Sequence, residues 1–158
     1  VRTFDHNEMA DYVAIQRLQA SYADIVTRRV WSELEHIFVP DATVTIDMVQ
    51  GAPFVLESPG GIGEFIGTSI ERFEFFEFVI LNSVIELGPA GSGHATARMY
   101  MAELRQDREG GRRSTAFGLY RDTYVKSGDD WLMAARKYRS AARTSAREFD
   151  VFGFDSED

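Results

Sequence analysis

The stretch YADIVTRRVWSELEHIFVPDA, residues 22–42, contains the change of texture on which the fold turns. Running into it, from Glu8 to about Arg29, the apolar residues Ile15, Leu18, Tyr22, Ile25 and Val26 recur at helical spacing. That pattern predicts a long amphipathic helix, with Asp5 or Asn7 placed to cap it. Within the stretch, Ser32 and Glu35 have the spacing of a capping box. Leu34, Ile37 and Phe38 then predict a short second helix that Pro40 ends. Just beyond, ATVTIDMV alternates Val44, Ile46 and Met48 with Thr43, Thr45 and Asp47, the period of a strand.

Further on, ESPGGIG introduces Ile62, Phe65, Ile66, Ile70 and Phe73, which predict a third helix. Long strand-like runs follow: FEFFEFVILNSVIEL, HATARMYMAELRQ, RRSTAFGLYRDTYVK and WLMAARKYRS. The turn-rich segments GPAGSG, DREGG and SGDD separate them. The order helix, helix, strand, helix, then antiparallel strands gives an α+β class with helices on one face of a sheet. Residues 1–140 form one domain, and 141–158 an acidic tail carrying Phe149, Phe152 and Phe154. On the run 73–87, one face reads Phe76, Phe78, Ile80, Asn82, Val84 and the other Phe75, Val79, Leu81, Ile85, Leu87. Helices cover only one such face, so the other meets a second copy of the chain or the folded-back tail, or remains an exposed patch. A homo-oligomer is the expectation.

Composition narrows the function. The chain has 25 Asp plus Glu against 17 Lys plus Arg, a formal charge of -8 that repels nucleic acid. No run reaches the roughly 20 apolar residues of a membrane span, and VRTFDHNEMADY lacks the basic-then-apolar order of a signal peptide. A cytoplasmic location is expected. With no Cys there is neither a disulfide nor a thiolate nucleophile, and His6, His36 and His94 lack metal-ligand spacing, so no metal or cofactor is expected. GGIGEFIG lacks the G-x-G-x-x-G spacing and reads as a turn into the third helix. Glu71, Glu74 and Glu77 read as a solvated acidic rim. The 13% aromatic content, twelve of it Phe residues, suits a lined or filled apolar interior.

Several short motifs, in this order, carry a resemblance: Y-A-D at Tyr22 to Asp24, F-x-P-D-A at Phe38 to Ala42, G-x-Y-x-D at Gly118 to Asp122, and G-x-x-W leading to Arg136. From about Asp11 to Arg139 the chain resembles the SnoaL-like branch of the NTF2-like superfamily, which includes polyketide cyclases, scytalone dehydratase and related lyases and isomerases. The resemblance implies a cone-shaped α+β barrel, its curved, mostly antiparallel sheet wrapped around the long N-terminal helix and leaving an apolar pocket at one end. In dehydratase-like members it implies an Asp–His dyad with an Arg nearby. Those positions fall here on Thr27, Phe78 and Arg136, and neither Thr27 nor Phe78 supports dyad chemistry near neutral pH.

The ketosteroid isomerases of the same fold use a Tyr matched by Tyr22 and a strand Asp whose position falls on Ile46. Asp47, one residue away, points to the opposite face unless a bulge intervenes. The Arg–Asp signature of the fold's epoxide hydrolases is absent, since Tyr100 stands two residues after Arg98.

Tyr22, Thr27, Phe78, Asn82, Tyr100, Tyr120 and Arg136 are the expected ligand-binding residues. Tyr22 and Arg136 are the catalytic candidates, with Asp47 and Glu86 as reserve bases. Arg136 equally suits a structural pair with Asp24 or Asp122. The leading functional reading is binding of a small apolar, carbonyl-bearing ligand, with isomerase, cyclase or lyase chemistry. The alternative is a noncatalytic oligomeric binding or assembly module whose cone is filled by Phe73, Phe76 and Phe78.

Overall fold

Helix α1 runs His6–Arg28 and starts in a capping box. The Asp5 carboxylate accepts from the Glu8 N–H at 2.9 Å and the Glu8 carboxylate from the Asp5 N–H at 3.0 Å. It stops at Arg29, whose φ of 61° turns the chain out of the helix. The computed structural model describes residues 3–144 and the backbone of 149–151. Ile15, Leu18, Tyr22, Ile25 and Val26 form the buried stripe of α1. Each fully buried side chain of this kind stabilises the fold by about 1.5–3 kcal/mol.

The expected second helix is a 3₁₀ helix, Trp31–His36, with no side-chain cap, so the Ser32–Glu35 capping box does not form. Phe38 and Pro40 belong instead to strand β1, Phe38–Asp47, where a register shift between Phe38 and Thr43 accommodates the proline's missing donor. A short strand β2, Phe54–Glu57, pairs antiparallel with β1 and was not anticipated from the sequence.

Helix α2 spans Ser58–Ile70, so GGIGEFIG lies inside the helix. Two of its glycines serve packing: a Cβ at Gly63 would approach the Trp31 Cβ to 3.1 Å, and one at Gly67 the Trp31 Nε1 to 3.0 Å. Phe73 is not helical but opens strand β3, Phe73–Leu87. Strands β4 (His94–Asp107), β5 (Arg113–Ser127) and β6 (Asp130–Thr144) follow as antiparallel hairpins. Strand β6 runs on past Ala141, where the tail was expected to begin. A last strand β7, Phe149–Val151, pairs with its end. The tail's side chains, Phe149, Phe152 and Phe154 among them, lie outside the described residues.

The sheet order is β2-β1-β6-β5-β4-β3, with β7 beside β6 and only β1–β6 parallel. This is an α+β fold in which a curved, unclosed sheet wraps α1, the cone expected from the sequence. The core joins the α1 stripe to the inward residues of β3–β6, among them Phe76, Met99, Met101 and Met133. Among the described residues no helix is long and apolar enough to cross a membrane.

A bulge in β3 governs which side chains face inward. Ile80 pairs with Met101 but Asn82 pairs with Tyr100, so Leu81 is the extra residue and the alternation flips. Phe76 and Phe78 are buried before it and Ile85 after it, whereas Asn82 and Val84 are exposed.

Candidate functional site

A partly open cavity of about 280 Å³ lies between α1, α2, β1, β2 and the ends of β3–β6. Its wall is mainly aromatic and aliphatic. Phe54 of β2 and Phe65 of α2 meet edge-on at 5.0 Å between ring centroids. Deeper in, Tyr22, Phe78, Tyr120 and Tyr138 form a chain of rings with centroids 5.1 to 6.3 Å apart. Gly118 makes room for the last of these, since a Cβ there would fall into the Tyr138 ring, 2.8 Å from its Cζ. The Gly and Tyr of the G-x-Y-x-D motif therefore shape one wall.

Polar groups enter this wall at few points. Tyr22, Tyr120, Tyr138 and Ser69 are its hydroxyl-bearing residues, the Ser69 hydroxyl donating to the Phe65 carbonyl at 2.7 Å, and Glu103, Arg105 and Arg72 its charged ones. Glu103 and Arg105 occupy alternate positions on β4, opposite Phe78 and Phe76, and so face inward. The Arg105 Nε donates to Glu103 Oε2 at 2.9 Å and its Nη2 donates to the same oxygen. The guanidiniums of Arg72 and Arg105 also lie over the Phe73 ring, at 4.7 and 5.4 Å from its centroid.

Burial pushes all three phenols up: Tyr22, moderated by the Arg136 charge; Tyr120 strongly, helped by neighbouring Tyr22; and Tyr138 to about 12, helped by Glu103. They are neutral hydrogen-bond donors at physiological pH.

Arg136 is fully buried but does not line the cavity. Its guanidinium sits 4.1 Å from the Tyr22 ring centroid and 4.2 Å from that of Tyr120. Its Nε and Nη2 bind the Asp122 carboxylate at 2.7 and 2.6 Å, while Nη1 has no partner. Burial alone would lower its affinity for a proton. The Asp122 charge outweighs that and pushes it well up.

The network extends through Tyr124, which donates to Asp122 at 2.7 Å and accepts from Gln19 at 3.0 Å. The Gln19 carbonyl in turn accepts from Ser83 at 2.8 Å. Helix α1, β3, β5 and β6 are thereby tied together around Tyr22. Asp24 takes no part: it pairs with Arg28 on the exposed face of α1.

Of the residues singled out from the sequence, Tyr22, Phe78 and Tyr120 meet at the cavity. Thr27 does not line it. Its Oγ1 accepts from the Phe78 N–H at 3.0 Å, pinning α1 to β3. Asn82 and Tyr100 pair on the outer face, because the Leu81 bulge turns Asn82 away and Tyr100 alternates with the inward Met99 and Met101. Glu86 is exposed on that outer face, 3.9 Å from Arg98. Asp47 turns away from the cavity that its neighbour Ile46 lines, and pairs with Arg139 at 3.6 Å. The cavity residues Glu103, Arg105 and Tyr138 were missed. Two opposite charges alternating with Met99 and Met101 were the available signal.

Residues 7–137 match the SnoaL-like domain family. The chain belongs to that family. It is 29% identical over 129 residues to "Probable cyclase FGR4" of Gibberella zeae, which covers 75% of this chain and 83% of the relative. Among solved structures, one from Novosphingobium aromaticivorans named after scytalone dehydratase superposes with a TM-score of 0.74 at 18% identity, covering 94% of this chain and 97% of that one. The hexachlorocyclohexane dehydrochlorinase LinA-type3 of Novosphingobium barchaimii gives 0.72 at 18% identity, over 93% and 95% of the two chains. At these identities the structures speak for the fold.

Proposed function

We propose that this SnoaL-like chain binds a small, largely apolar molecule bearing a carbonyl and isomerises or cyclises it. The observation that carries the reading is an open apolar cavity whose hydroxyl donors come from Tyr22, Tyr120 and Tyr138. Its volume of about 280 Å³ suits one or two rings. A ligand carbonyl accepts from the tyrosines. Charge developing on its oxygen is favoured by the Arg136 cation beneath Tyr22 and Tyr120. Arg136 therefore acts through the rings, and no Asp–His dyad contributes, because Thr27 and Phe78 hold those places.

A cytoplasmic homo-oligomer completes the reading. On the outer sheet face Leu81, Val84 and Leu104 are 55%, 38% and 38% exposed, an apolar surface suited to a second copy. The assembly-module alternative, with the cone closed by its own Phe residues, is disfavoured because Phe73 and Phe78 border open space.

The test is the thermal midpoint of the purified protein against ketones, lactones, polycyclic phenols and steroids, repeated with Tyr22→Phe. A ligand at about 100 times its Kd adds roughly 2.7 kcal/mol, or about 5–11 °C in a domain of this length. A shift that shrinks in Tyr22→Phe supports the site. No shift across the panel returns the assembly module.

A further inference from the structure

Resting on that reading of the cavity, we propose that Glu103 is the base that moves the substrate's proton, and that Arg105 is its positioning partner. Among the described residues that line the cavity, Glu103 is the sole carboxylate, and no histidine joins it. The other polar groups there are phenols, one serine hydroxyl and two guanidiniums, none of which accepts a proton near neutral pH.

Carboxylates elsewhere are committed or misplaced. Asp122 is clamped by Arg136 and Tyr124 outside the cavity, Asp47 faces Arg139, and Glu86 is exposed beside Arg98. Glu103 stands directly across the β3–β4 ladder from Phe78, which packs on Tyr22 and Tyr120. Both Arg105 donors fall on Oε2, so the pair fixes the carboxylate's orientation and leaves Oε1 outside that contact. Its charge is felt at Tyr22, Tyr120 and Tyr138 alike, so base and hydroxyl donors share one space.

The step balances without an external reactant. Glu103 takes a proton from the carbon beside the carbonyl. The C–H electron pair becomes the enolate C=C bond, and the carbonyl π pair moves to the oxygen, which accepts from a tyrosine hydroxyl. Returning the proton to another carbon of the enolate completes an isomerisation. Attack of the enolate carbon on a second carbonyl of the same molecule, with the proton passing to the new alkoxide, completes a cyclisation. The substrate class is thus an enolisable cyclic ketone or diketone.

The experiment follows exchange of the α-hydrogens of cyclohexenone and tetralone for deuterium in heavy water by proton NMR, while the midpoint shift reports binding of the same ketones. Wild-type protein, Glu103→Gln, Glu103→Asp, Arg105→Lys and Arg105→Ala are compared. The expectation is that Glu103→Gln keeps the ketone-induced shift and loses about 10²–10⁴-fold in exchange. Glu103→Asp falls between, and Arg105→Lys, which keeps the charge, retains more exchange than Arg105→Ala. If Glu103→Gln does not fold, Glu103→Gln with Arg105→Gln, which removes both charges together, carries the same comparison. Bound ketone exchanged equally fast by wild type and Glu103→Gln overturns the assignment of the base. Bound ketone exchanged no faster than in buffer overturns proton transfer while leaving the binding reading intact. No binding of either ketone overturns both.

Discussion

Replacing Asp122 by Asn tests whether the Arg136 pair is a structural keystone. Both side chains are 0% exposed, and the carboxylate receives the guanidinium at 2.7 and 2.6 Å and the Tyr124 hydroxyl at 2.7 Å. Asn removes the negative charge and presents an amide donor where the guanidinium needs an acceptor. Leaving one partner of a buried pair uncompensated costs about 3–5 kcal/mol. At roughly 2–4 °C per kcal/mol for a chain of this size, the midpoint falls by about 6–20 °C. Scanning calorimetry at low and high salt reads this directly, and the loss barely depends on salt because a buried pair is little screened. Asp24→Asn, which breaks an exposed pair, is the control and leaves the midpoint nearly unchanged. Replacing the pair together, Asp122→Leu with Arg136→Met, recovers much of the loss, since no lone charge remains buried. A drop of less than about 2 °C for Asp122→Asn, or a double variant worse than the single, would refute the reasoning.

The remaining predictions concern the cavity wall and the outer face. Gly118→Ala drives a methyl into the Tyr138 ring and costs about 1–3 kcal/mol of overpacking strain, with a displaced Tyr138 resonance in the NMR spectrum. Tyr138 ionises only near 12, read from the ¹³Cζ shift of labelled tyrosine and assigned with Tyr138→Phe. Its phenol is held protonated in the fold, so the unfolded chain loses that proton first. Its contribution to stability is complete below about 10 and is lost as pH rises towards about 12. Light scattering should give a mass that is two or more times 17.9 kDa, and Leu104→Asp should reduce it. A wild-type monomer removes the second copy from the proposal.

Much of the fold could be read from periodicity because the periodicity was long. The α1 stripe and the runs that became β3 to β6 each repeat their pattern over many residues, and the Gly-rich turns bracket them. Short segments misled for a local reason. Leu34, Ile37 and Phe38 share spacing between a helical turn and the entry to a strand, and the pairing of β1 with β6, a distant partner, decided for the strand. The site was harder to read because side-chain direction depends on register. One inserted residue at Leu81 moved Asn82 out and Ser83 in, although nothing in ILNSV marks a bulge unambiguously. Asn82, Val84 and Glu86 on one face against Ser83, Ile85 and Leu87 on the other was the faint clue.

The cavity's charges make sense only together. The inner wall is mainly aromatic and aliphatic, and a lone carboxylate inside it would be expensive to keep ionised. Glu103 is there with an arginine two residues away on the same strand face, held by two donors to one oxygen. Arg105 in turn lies over the Phe73 ring, 5.4 Å from its centroid. Removing either charge strands the other against the aromatic wall. For that reason Arg105→Ala should impair exchange more than Arg105→Lys, whose ammonium still meets the carboxylate although it cannot reproduce the two-pronged contact. Equal exchange in the two variants would mean that the guanidinium serves packing on Phe73 and not the orientation of the base.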